Sequence, residues 1–164
     1  MESRAKLLGH PIHQMLIVFP LGLLTASVAF DLAYAAAGNT DFSTVSFWTL
    51  GVGLAGGALA AVFGFADWMA IPSRTRAKRV GAVHGGVNAV ALIMFLQSFI
   101  VRYATPQEPP EFSIVVSSVA VVLVAVGGWL GGELVDRLGV GVDDGANLDA
   151  PSSLRERRIG PEGP

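Results

Sequence analysis

Apolar residues run almost unbroken through four stretches of the chain, at about Ile12–Ala37, Phe47–Ile71, Val80–Val101 and Phe112–Val135. A helix needs about 20 apolar residues to cross a hydrocarbon core of about 30 Å, and each stretch is long enough. None carries the single apolar stripe of a surface helix; they are hydrophobic all round, as a lipid-facing helix must be. Punctuation separates them: Gly38-Asn39 after the first, Pro72 after the second, and Pro106 with Pro109-Pro110 between the third and fourth. The pattern predicts an all-α, membrane-embedded four-helix antiparallel bundle over residues 1–142. Residues 143–164 are rich in Gly, Pro, Asp and Arg, and are expected to form a disordered tail that buries too little apolar surface to offset its ordering entropy.

Composition strengthens this reading. Of 164 residues, 52% are hydrophobic and 15% charged, with a mean hydropathy of +0.56. Soluble domains carry about 25% charged residues, so a water-facing surface is underprovided. The first apolar stretch is too long for the core of a cleavable signal and lacks a small-residue cleavage site, so it is expected to stay as an anchor. With a net charge of −2 and no basic patch interleaved with aromatics, nucleic acid is not an expected partner. Cys is absent, which excludes disulfides, thiolate-held clusters and covalent haem attachment.

The remaining charge sets an orientation. Arg74, Arg76, Lys78 and Arg79 crowd the second connection, Arg4 and Lys6 precede the first span, and Arg137, Arg155, Arg157 and Arg158 follow the fourth. The first connection has no basic residue and the third only Arg102. Basic loops stay in the cytoplasm, so a multi-pass inner-membrane protein with both termini cytoplasmic is expected. Small-xxx-small spacings at Gly53-Gly57, Gly81-Gly85, Gly127-Gly131 and Gly128-Gly132 favour close helix packing, within the chain or in a homo-oligomer.

Ionisable residues inside spans are costly and so mark candidate sites. His10 and His13 stand at the start of the first span, Asp67 near the end of the second, His84 near the start of the third, and Glu133 and Asp136 at the end of the fourth. Because the helices alternate in direction, all six fall at one end of the bundle. His10 and His13 are expected to share a helix face, as are His84 and Asn88, and Asp67 is expected opposite His84. Three arrangements fit. One is a structural network, with Asp67 accepting from His84 or a loop arginine and Glu133 pairing with Arg137. Another is a metal site drawn from His10, His13, His84, Asp67 and Glu133, or a b-type haem on His13 and His84 with His10 as substitute. The third is a proton relay. Asp31, at the other end, is expected to be a hydrated carboxylate at the membrane interface.

The segment Gly9-His10-Pro11-Ile12-His13-Gln14-Met15-Leu16 followed by Phe19-Pro20-Leu21-Gly22-Leu23 resembles the opening of a bacterial membrane family called domain of unknown function 2231. Gly64-Phe65-Ala66-Asp67-Trp68, Ile71-Pro72, His84 and Asn88, and Gly127-Gly128-Trp129-Leu130-Gly131-Gly132-Glu133 resemble its later motifs. The resemblance covers roughly Leu8 to Val142. It implies four membrane helices of unassigned activity and, because some members are joined to redox modules, a redox partner. Gln14 and Val18 stand where the family often has Pro and a further His. No nucleophile elbow, phosphate loop or His-Glu-x-x-His motif accompanies these residues, so a non-enzymatic or redox-associated membrane subunit is the leading expectation, with a b-haem or metal-binding oxidoreductase subunit or a small proton-coupled carrier as the alternatives and no cofactor identified.

Overall fold

A computed structural model describes residues 1–154. Residues 155–164, part of the tail expected to be disordered, lie outside the described residues, while 143–154 run as successive turns. Lys6–Leu7 (β1) and His10–Pro11 (β2) form a small antiparallel hairpin. Helices follow at Ile12–Leu16 (α1), Val18–Ala37 (α2), Thr40–Ala70 (α3), Arg76–Arg102 (α4) and Glu111–Gly132 (α5), and Glu133–Arg137 extends α5 as a π-helical turn. Four helical segments, with α1 and α2 counted as one, are long and apolar enough to cross a membrane.

Local chemistry explains the boundaries. Pro20 has no N–H for the carbonyl of Leu16, and the first span is interrupted at Ile17 one turn earlier. Gly38 closes α2 in the left-handed region at φ 68°, its N–H bonded to the Tyr34 carbonyl. Asn39 then caps α3 through its side chain, and Thr75 caps α4 by accepting from the Lys78 N–H. Lys78 also ties down the α3–α4 turn: its Nζ donates to the Trp68 carbonyl at 2.6 Å and lies 3.9 Å over the Trp68 ring.

Two hairpins build the bundle. α2 packs along α3 and α4 along α5, and the hairpins join through lighter α3–α4 and α2–α5 contacts. Leu24, Val28, Leu50, Ala91, Phe95, Ala120 and Val124 form the core at mid-height. Large apolar side chains such as Val62, Ile93, Val122 and Trp129 point outward, the inside-out pattern of a body solvated by lipid. Gly53 lies under Leu24 and Gly57 under Leu92, where a Cβ would stand 2.8 and 2.6 Å from their side chains. By contrast Gly85, Gly128 and Gly132 meet open space.

Candidate functional site

One end of the bundle gathers the starts of α1 and α4 and the ends of α3 and α5, and here the structure brings two histidines together. The His13 and His84 ring centres are 6.5 Å apart, with the planes at 88°. His13 Nδ1 lies 2.7 Å from the Ala60 carbonyl on α3, and His84 Nδ1 lies 2.9 Å from the Gly127 carbonyl on α5. A carbonyl only accepts, so each Nδ1 must carry the proton and each neutral ring is left with a bare Nε2. Neither Nε2 has a hydrogen-bond partner among the described residues, and neither is sealed from solvent, since the one buried unpartnered side-chain atom there is Nε of Arg102.

Glycines seat both rings. A Cβ on Gly64, one turn beyond Ala60, would stand 2.7 Å from the His13 ring, and one on Gly131, one turn beyond Gly127, would stand 3.2 Å from the His84 ring. Asn88 lies against Gly127, where a Cβ would come within 2.6 Å of its amide, and donates to the His84 carbonyl at 2.8 Å. Each imidazole is therefore fixed in direction by a main-chain carbonyl and in position by a missing side chain.

The other residues expected at this end do not join them. His10 is exposed and lies in β2, so it does not share a helix face with His13; the turn at Leu8 and Gly9, both at positive φ, turns the chain back before the helix starts. Asp67 does not pair with His84. Its carboxylate accepts from Ser3 Oγ at 2.7 Å, from the Arg4 N–H at 2.8 Å and from the Ala5 N–H at 3.4 Å, which hooks the N-terminal segment across the bundle end. Glu133 pairs with Arg76, at the start of α4, at 2.5 Å rather than with Arg137. Asp136 is exposed beside Arg137. Among the described residues no three His, Asp or Glu side chains are placed to share one metal ion, so the five-residue metal set does not converge.

Lys6 and Asp143 reinforce the N-terminal hook from outside the spans. Lys6 pairs with Glu2 and with Asp143, and the Glu2 hydrogen bond holds its ammonium above the usual lysine value. The Gly145 N–H holds the Asp143 carboxyl below the usual range, with Lys6 adding to the effect. Further along, Gly141 donates to the Met1 carbonyl at 2.9 Å, and a Cβ on Gly141 would meet the Gln14 amide at 2.6 Å.

Sequence reasoning missed a second polar centre at the opposite end. Asp31 is not a hydrated interfacial group: it is 0% exposed, as is Arg102. Arg102 Nη1 donates to Asp31 Oδ1 at 2.8 Å and to Ser46 Oγ at 3.1 Å; Nη2 donates to Asp31 Oδ2 at 3.1 Å and to Ser98 Oγ at 3.0 Å. Ser117 donates to Ser98, which donates to the Ser113 carbonyl. Arg102 was assigned to a connection because it follows the last apolar residue of its span. The available signal was the run of serines at Ser43, Ser46, Ser98, Ser113 and Ser117 in otherwise apolar helices, all of them buried.

The chain belongs to the DUF2231 family, described as predicted membrane protein, whose pattern matches residues 9–144. No curated protein and no solved structure matches it.

Proposed function

We propose that this member of the family is a non-enzymatic membrane subunit serving a redox partner, and that His13 and His84 ligate a metal-centred group at one end of the bundle. One observation carries the reading: two imidazoles from different helices stand 6.5 Å apart, each with its Nδ1 held by a main-chain carbonyl. Ligating histidines characteristically donate their other nitrogen in this way, which fixes the tautomer and orients the ring. A metal bound by two imidazole nitrogens at about 2.0–2.1 Å sets their ring centres roughly 6 Å apart, so the spacing fits. Among the described residues no third His or carboxylate joins them, so His13 and His84 would hold a group that takes two imidazoles from the protein. A b-type haem is that class of group, and it would supply one-electron transfer. The proton-carrier alternative has less support, because Asp67 and Glu133 are committed to Ser3 and Arg76.

The orientation belongs to the same reading. Arg74, Arg76, Lys78 and Arg79 lie at the histidine end together with Arg4 and Lys6, which favours placing that end in the cytoplasm of an inner-membrane protein. A redox protein, or a second copy approaching the open Gly128–Gly132 face, is the partner class it calls for.

Purification in mild detergent after growth with a haem precursor, followed by absorbance and elemental analysis, tests the site. We expect a Soret band that is lost in His84→Ala and in His13→Ala. A colourless, metal-free protein overturns the reading. Since the chain has no Cys, Ser73→Cys reports orientation: labelling from outside intact cells would reverse the proposed topology.

A further inference from the structure

The two polar centres are related in a way that their chemistry does not require. Asp31 and Arg102 are 71 residues apart, and the same shift carries His13 onto His84. It also carries Leu21 onto Leu92, buried Leu24 onto buried Phe95, buried Ser27 onto buried Ser98, and Ala33 onto Ala104. In both helices the charged residue stands eighteen residues after the histidine, five turns along the same face.

The second helix of each hairpin repeats as well, at its own constant shift. Ser46, Gly53, Gly57, Ala60 and Gly64 on α3 correspond to Ser113, Ala120, Val124, Gly127 and Gly131 on α5. The first four of each set are buried. Ala60 and Gly127 accept from the two histidines, and Gly64 and Gly131 seat the two rings. Contacts follow the same pattern: each hairpin packs most closely within itself, and the first helix of each lies against the second helix of the other, α2 on α5 and α4 on α3.

From this we infer that the bundle is two quasi-equivalent helical hairpins, α1–α3 and α4–α5, and that Asp31 and Arg102 are complementary keys at equivalent positions that lock each hairpin onto its counterpart. Two copies of the first hairpin would bring carboxylate against carboxylate, and two of the second guanidinium against guanidinium, in a fully buried contact. The opposite charges thus exclude like-with-like pairing between copies of the chain and admit only the unlike pair. The same pairing of hairpins brings His13 to His84 at the other end of these helices. The inference concerns hairpin pairing and stands whether or not a haem binds.

Charge exchange in the full-length chain tests it. Asp31→Arg or Arg102→Asp alone places like charges in the sealed contact, and folded, monodisperse protein recovered from membranes should fall roughly tenfold or more. The double exchange, Asp31→Arg with Arg102→Asp, should restore recovery to within about threefold of the unaltered chain, because the two positions have matching surroundings. An exchange as poor as the single changes overturns the equivalence, as do single changes that leave recovery intact. Exclusion between copies is read separately, by co-expressing the two single variants under different tags. One chain then offers arginine on both hairpins and the other aspartate, so they should recover each other and co-purify. Failure of mutual recovery overturns the exclusion.

Discussion

The two ends of the bundle handle polar groups in opposite ways. At one end Asp31 and Arg102 are fully buried, and all four terminal N–H groups of the guanidinium are used by Asp31, Ser46 and Ser98. At the other, His13 and His84 are half-exposed, and each spends one nitrogen on a carbonyl and leaves the other unpartnered. A dry network whose one leftover donor, Arg102 Nε, is sealed away from any ligand specifies how helices meet. An oriented imidazole with a spare lone pair is what a ligand needs. Polarity inside a membrane is therefore not one signal: whether the unpartnered atom is sealed, as Arg102 Nε is, or open separates scaffold from site.

The comparison can be broken most easily at the closed end. Removing one partner strands a buried charge, so Arg102→Ala or Asp31→Ala should lower unfolding stability in detergent by about 3–5 kcal/mol. Thermal unfolding unchanged in either variant would show that the pair is not a structural lock.

Next in size are the glycine seats. Gly64→Ala would push a methyl to within 2.7 Å of the His13 ring, and Gly127→Ala would press on the Asn88 amide at 2.6 Å. Overpacking of this kind should cost about 1–3 kcal/mol. Gly131→Ala, at 3.2 Å, should cost less than Gly64→Ala; the reverse order in a melting series would mean that the rings are not held as described.

Losing a histidine should disturb the fold little. His84→Ala and His13→Ala each remove one neutral hydrogen bond, worth about 0.5–1.5 kcal/mol. A loss as large as that of Arg102→Ala would erase the distinction between the two ends.

The smallest effect concerns the terminal hook. Asp143 titrates below the usual carboxyl range, so its ordering contribution is complete above that range and fades as pH falls through its lowered value. Lys6 titrates above the usual lysine value, so its contribution is complete at ordinary pH and fades only as pH rises through the raised one. Amide protection in residues 1–11, relative to the intrinsic exchange rate at each pH, should therefore fall under acid and under strong alkali while the helices stay protected. Protection of the helices lost in step with the segment would refute a separable hook.

Much of this was legible in the chain. The four spans follow from apolar length alone, because a helix must satisfy its own backbone in lipid whatever its neighbours do. That His13, Asp67, His84 and Glu133 lie at one end follows from alternating direction. Which of them meet does not follow. Asp67 is claimed by Ser3, Arg4 and Ala5, residues whose path across the bundle end depends on the turn at Leu8-Gly9. Glu133 is claimed by Arg76, which stands at the start of a different helix. Arg102 read as a loop residue for the same reason that Asp31 read as hydrated: each is an isolated charge near the end of an apolar run, and only a partner on another helix makes it interior.

By itself the sequence determined the length and hydropathy of the spans and which end of the bundle each polar residue occupies, all properties of one helix in a bilayer; α3 begins at Thr40, ahead of the expected Phe47. Tertiary structure decided which faces turn toward each other. That choice joins Asp31 to Arg102 and His13 to His84, and withholds Asp67, Glu133 and His10 from the pair. Rotation of a helix about its axis costs little in lipid until another helix packs against it, so the pairing rests on small residues and buried hydrogen bonds between helices rather than on hydropathy.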